Sequence, residues 1–201
     1  ISSRYCKKVK GLFNSLNVPF TAVELDERIA TVAEKYFNLH KSVRVVVDDA
    51  RHALYFLNEK FDVIIFDLFH GEVPPSHIIT KESLASLKRF LNEDFRILIN
   101  SYGYLNNEYG KGNQALLATL QSQGWDRRVC YAGVKNNEDY RNLILVAGEN
   151  IEEEKLFCEI DIPNELVYAE ILSDKKPSLE YLNAEASKRW RANYIRNYTL
   201  V

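Results

Sequence analysis

The chain has 201 residues, 46% of them hydrophobic and 27% charged, with a net charge of -2. That length and composition suit a globular protein with a real core, and the near-neutral charge offers no footprint for nucleic acid or an anionic membrane. Cys6, Cys130 and Cys158 are too few and too scattered for a disulfide framework, and no pair of cysteines or histidines has metal-ligand spacing, so no metal and a cytoplasmic, reducing setting are expected.

No apolar run reaches the roughly eighteen residues of a membrane span, and no secretory leader pattern is visible. The chain opens at Ile1 and contains no methionine, so it is expected to be part of a longer translation. Residues 1–16 read as a basic helix. Its "SSRYCKK" resembles the head of a glutaredoxin helix, where a thiolate nucleophile is needed. Here Ser3 occupies the attacking position and Cys6 the resolving one, so the redox reading fails. Cys6 is expected to be a small buried helix residue.

Pro19 to Leu25 (PFTAVEL) reads as a strand, and Glu27 to Leu39 carries apolar residues at helical spacing. Val43 to Val47 (VRVVV) is short and β-branched, as a buried parallel strand should be. A helix follows over Arg51 to Leu57, then a strand over Phe61 to Phe66 (FDVIIF). Gly71 to His77 is a loop, because Pro74-Pro75 continues neither helix nor central strand. Thr80 is an N-cap candidate for a helix over Lys81 to Leu91. A strand over Phe95 to Ile99, a helix over Asn113 to Gln123 and a strand over Arg141 to Ala147 complete the series. Such alternation predicts a Rossmann-like α/β fold with a doubly wound, mostly parallel sheet. After Gly148 the texture becomes charged and turn-rich, with a helix expected over Asn183 to Asn197. Residues 1–150 are thus expected to form the main domain. Residues 151–201 are expected to form an appendage that packs on it or makes a homodimer surface.

Ligands of open α/β sheets bind at the carboxyl ends of the strands. Three apolar runs here end in acids: Glu24 with Asp26, Asp48 with Asp49, and Asp67. Each acid could instead cap the helix that follows it. As ligand contacts, Glu24 could accept from both ribose hydroxyls of an adenosine, Asp49 from the adenine amine, and Asp67 could handle the reacting group. In dinucleotide-binding folds the ribose acid lies about twenty residues after a glycine-rich loop, which places that loop, and the first strand, ahead of Ile1.

The stretches "VELDERIATVAEKYF", "VRVVVDDARHAL", "FDVIIFDLFHGEVPPSHIITKESLASLKRFL" and "RILIN", in that order within Ile1 to Ala147, resemble the spermidine synthase-like branch of the class I S-adenosylmethionine-dependent methyltransferase superfamily. The resemblance is closest to bacterial members, including those fused to membrane transporters. "LSDKKPSLEYLN", Leu172 to Asn183, is similar to an acidic-proline segment late in those chains.

The resemblance implies a donor nucleoside, decarboxylated S-adenosylmethionine or S-adenosylmethionine itself. Glu24, with Asp26 close by, would hold its ribose, and Asp49 with Ala50 its adenine. Asp67 matches the catalytic first acid of the family's D-x-x-D pattern, which binds and helps deprotonate an attacking amine. The second acid is His70 in this chain, and the family's Tyr-Pro-Ser-Gly loop has no clear counterpart in "YAGVKNNEDYRN", Tyr131 to Asn142. His70 and Tyr131 are therefore the weaker, substrate-facing candidates. Three functions stay open on these residues: aminopropyl transfer to an amine, methyl transfer to another acceptor, and binding without catalysis.

Overall fold

The computed structural model describes residues 18–37, 39, 42–69, 71, 73–131, 141–149, 158–162 and 164–198. The expected helix over 1–16 with Cys6, the candidate His70 and the 132–140 stretch lie outside those residues. The chain divides into two compact units, Ile1–Asn58 and Glu59–Val201.

In the first unit, β1 (Phe20–Glu24) and β2 (Val43–Val47) pair in parallel, from Phe20 opposite Val43 to Glu24 opposite Val47. β-Branched residues favour this pleated conformation. Helix α1 (Glu27–Tyr36) follows β1 and buries Ala30. It stops three residues before the expected Leu39, because the amides of Phe37 and Leu39 both turn back onto the Ala33 carbonyl, at 3.2 and 3.1 Å. Such converging amides satisfy a helix end that would otherwise be orphaned. Helix α2 (Ala50–Ala53) is a single turn after β2.

The second unit is built on a five-stranded sheet of order β3-β4-β6-β5-β7. Its strands are β3 (Phe61–Phe66), β4 (Leu91–Gly103), β5 (Asp126–Tyr131), β6 (Arg141–Gly148) and β7 (Cys158–Ile160). β3 and β4 are parallel, whereas β4–β6, β5–β6 and β5–β7 are antiparallel. Between them run α3 (Lys81–Leu87) and α4 (Lys111–Gln121), and α5 (Leu179–Tyr198) closes the chain.

β4 spans thirteen residues where the sequence predicted five. Its extra C-terminal residues are polar, and what makes them strand is pairing with β6, from Asn100 opposite Ile144 to Gly103 opposite Arg141. Strand β5 was hidden by its charged start, Asp126-Arg127-Arg128. Helix α5 begins directly after Ser178, four residues earlier than expected, and serine is a favoured residue immediately before a helix.

Alternate residues of β4 (Phe95, Ile97, Ile99) join Leu84, Leu87, Leu116, Leu117, Leu120, Leu143 and Leu145 in the core. Each such side chain is worth roughly 1.5–3 kcal/mol when fully buried. The same face ends in Ser101, whose hydroxyl donates to Asn113 Oδ1 at 2.6 Å. Asn113 Nδ2 in turn donates to the Tyr104 carbonyl at 2.7 Å, tying α4 to the end of β4.

Residues 171–177 of the segment after Gly148 are fastened to α3 and α4 of this unit. The Lys81 amide donates to the Leu172 carbonyl at 2.9 Å, and the Leu172 amide donates to Thr119 Oγ1 at 2.9 Å. The two compact units part at residues 58 and 59. Among the described residues no helix is long and apolar enough to cross a membrane.

Candidate functional site

The first unit gathers four acids at the carboxyl ends of β1 and β2. Glu24 is the last residue of β1; its Oε1 accepts from the Asp26 amide at 3.0 Å, and its carbonyl accepts from the Asp48 amide at 3.0 Å. The second bond links the two strand ends directly.

Asp26 caps α1, accepting the Arg28 amide at 2.9 Å. Its carboxylate also receives Arg28 Nε at 2.9 and 3.1 Å and Nη2 at 2.5 Å, a forked pair. The side-chain bond from the Arg28 guanidinium lowers the Asp26 pKa from 3.8 to about 2, with the Arg28 amide adding to the effect. A donor that needs the charged carboxylate favours that form.

Asp49 caps α2 in the same manner, its Oδ1 accepting from the amides of Arg51 at 2.9 Å and His52 at 3.0 Å. Ala50 is the first residue of that turn. Asp48 Oδ1 accepts from the Asp49 amide at 2.7 Å, and both Asp48 oxygens lie 2.9 Å from His52 Nδ1. The structure shows Asp26 and Asp49, expected as ligand acids, in the capping role that short acidic side chains play at helix starts.

Asp67 follows β3 in the second unit. Register places Phe66 opposite Ile99, so the next pair along is Asp67 and Asn100. Asn100 Nδ2 donates to Asp67 Oδ1 at 2.7 Å. The amide must be turned this way, since a carboxylate can only accept. Its other end, Asn100 Oδ1, is buried and has no hydrogen-bond partner among the described residues. A buried acceptor left empty is costly and unusual. Asp67 and Asn100 together hold acceptor oxygens just beyond the last β3–β4 pair, Phe66 and Ile99, an arrangement that suits a ligand with several N–H donors. Asn100 was not singled out from sequence. The signal that could have found it is a polar residue directly after the apolar run "RILI", at the carboxyl end of a parallel strand.

The loop beyond Asp67 is anchored to α5. Both the amide and the hydroxyl of Ser76 donate to the Glu180 carboxylate, the amide at 3.2 Å. Thr80 caps α3, accepting the Ser83 amide at 3.1 Å while donating to Asp174 Oδ1 at 2.6 Å. Tyr131 ends β5, opposite Leu143 on one side and Cys158 on the other. Among the described residues no group of three or more His, Cys, Asp or Glu side chains could hold a metal ion.

Comparison with known proteins bears on the chain as follows. The spermine/spermidine synthase domain matches residues 16–107. A protein of Bifidobacterium longum named "Probable polyamine aminopropyl transferase" is 24% identical over 152 residues, covering 76% of this chain and 33% of that protein. The "Polyamine aminopropyltransferase" of Vibrio vulnificus is 33% identical over 85 residues, covering 40% of this chain and 28% of that protein. The chain therefore spans about a third of the length of these curated relatives. The crystal structure of a probable spermidine synthase from Corynebacterium glutamicum superimposes with a TM-score of 0.56 at 26% identity, covering 67% of this chain and 48% of that one. In sequence pattern and in fold, the chain is similar to the spermidine synthase-like proteins, which have the Rossmann-like class I methyltransferase fold.

Proposed function

We propose that the chain is part of a transferase that moves an aminopropyl group from decarboxylated S-adenosylmethionine to an amine. The observation that carries this reading is the Asp67–Asn100 pair, whose oxygens face the need of an ammonium or amine for acceptors. In the transfer, the amine lone pair attacks the methylene carbon bound to the donor's sulfonium. A C–N bond forms as the C–S bond breaks, and the electron pair returns to sulfur, giving neutral methylthioadenosine. The proton lost by the new ammonium goes to Asp67. A positioned base contributes roughly 10²–10⁴-fold to such a step, and alignment of amine and carbon supplies much of the rest. Asn100 acts here as a positioning residue that fixes the carboxylate.

For the donor, Glu24 holds the ribose hydroxyls, and Asp49 with Ala50 takes the adenine. Asp26 keeps the Glu24 loop in place through its amide and its cap. His70 at the second acid position favours one other reading, methyl transfer from S-adenosylmethionine, since that chemistry needs the nucleoside contacts but no second carboxylate.

The test is calorimetry with decarboxylated S-adenosylmethionine, S-adenosylmethionine and methylthioadenosine, followed by turnover with 1,4-diaminobutane. Aminopropyl transfer requires preference for the decarboxylated donor; preference for S-adenosylmethionine turns the reading to methyl transfer, and binding of neither leaves a silent relative. Asp67→Asn should lower turnover by about 10²–10⁴-fold while donor affinity holds. Unchanged turnover in that variant would remove Asp67 from the reaction.

A further inference from the structure

Beyond Ile99, β4 runs past its last ladder pair with β3, Phe66 opposite Ile99, and among the described residues its ladder from Asn100 to Gly103 is with β6. Asn113 of α4 holds this end from the core side. Ser101 Oγ donates to Asn113 Oδ1 at 2.6 Å, and Asn113 Nδ2 donates to the Tyr104 carbonyl at 2.7 Å. A carbonyl only accepts, which fixes the orientation of the amide. Gly103, at φ 144°, turns the chain between the two bonds. Asn113 and Ser101 are only 1% and 2% exposed, so water does not compete for this bracket. Gln114 adds a further hold, its Nε2 donating to the Leu105 carbonyl at 2.9 Å. On the other side, Gly112 leaves no room for a Cβ against Asn183 of α5, which braces the first turn of α4.

Resting on the proposed transfer to an amine, we propose that Asn113 is a positioning residue for Asp67, acting through Ser101 and Asn100. The path is short and each link is bonded. Asn113 holds the Ser101 hydroxyl, Ser101 follows Asn100 in the chain, and Asn100 Nδ2 reaches Asp67 Oδ1 at 2.7 Å. Neighbouring residues of a strand point to opposite faces, so the bracket grips one face while the Asp67 bond is made on the other. A tilt of the backbone at Ser101 therefore carries Asn100 with it. A buried leucine would pack α4 on the strand without any polar group to satisfy; what the amide adds is a fixed direction. A misplacement of about 1 Å that starts away from the reacting atoms can cost about 10²-fold in rate.

The experiment follows aminopropyl transfer to 1,4-diaminobutane in the full-length protein, together with the side-chain amide NMR signal of Asn100, assigned by its loss in Asn100→Ser. Asn113→Leu, folded by circular dichroism, should lower kcat by about 10²-fold, leave the donor KM unchanged and move the Asn100 signal. Ser101→Ala should do the same to a smaller degree. Adding it to Asn113→Leu should cost nothing further, since both remove the same Ser101 bond. Thr119→Val is the control: it takes a buried acceptor from the Leu172 amide on the same helix and should leave kcat and the Asn100 signal as they are. Unchanged kcat in Asn113→Leu overturns the positioning role, as does an equal loss of kcat in Thr119→Val. Strictly additive losses in the double variant overturn it too. If the unaltered protein transfers no aminopropyl group, the proposed function falls and the Asn100 signal alone decides. Moved by Asn113→Leu, the bracket stands as a hold on the Asp67–Asn100 pair; unmoved, it falls as well.

Discussion

The two units hold their carboxylates in contrasting ways. In the first, Glu24, Asp26, Asp48 and Asp49 bond to amides and side chains within four residues of themselves in sequence. In the second, Glu180 reaches back 104 residues to Ser76, Asp174 is met by Thr80 across 94, and Asp67 is met by Asn100 across 33. Local bonds form whenever the turn forms, so they shape a strand end and hold its acids ready. Long-range bonds exist only when the whole unit is assembled, so they report and reinforce its packing. The same residue type therefore does turn-building in one unit and tertiary fastening in the other.

Substitutions can break that contrast. The largest effect on stability is expected at Thr80, which is fully buried. Thr80→Val removes the acceptor for the Ser83 amide and the donor to Asp174, at a cost of about 2 kcal/mol. Both tryptophans of the chain, Trp125 and Trp190, lie in the second unit, so the urea midpoint read by tryptophan fluorescence should fall. An unchanged midpoint would mean that the Thr80–Asp174 fastening contributes nothing.

A smaller and strictly local effect is expected at Asp49. Asp49→Ala loses the α2 cap, worth about 1 kcal/mol, and the amides of Arg51 and His52 should exchange roughly fivefold faster. Equal loss of protection throughout β4 would show that the bond is not local after all.

The smallest effect is a shift along the pH axis. The Asp26 carboxyl is lowered from 3.8 to about 2 by Arg28. A lowered carboxyl stabilises the folded chain above the unfolded value and loses that contribution as pH falls through the folded one. The charged cap of α1 therefore persists between pH 3.8 and about 2. Arg28→Ala should return the Asp26 titration, followed by carboxyl NMR, toward the ordinary value. A titration still centred near the lower value would assign the shift to the helix amides instead.

Much of the acid cluster of the first unit was legible in the sequence because its signals are local. A β-branched run, an acid at its end and a helix start directly behind it occupy a few consecutive residues, as in "VVVDDARHA". The polar ends of β3 and β4 in the second unit were only partly legible. Asp67 stood out at the end of "DVIIF", but Asn100 and Tyr102 looked like the fading end of a shorter strand. Trp190 looked like one more residue of a charged terminal helix.

By itself, then, the sequence determined the alternation of elements, the family pattern and which acids close the first three strands, since periodicity and helix capping act within one or two turns of chain. Tertiary structure alone decided that β4 continues past Ile99, that residues 171–177 fasten onto α3 and α4, and that Asn100 holds Asp67 with Trp190 against Tyr102 one pleat away. Those contacts join residues 33 to about 90 positions apart, and no local propensity encodes a partner at that distance. Only burial of the shared core brings them together.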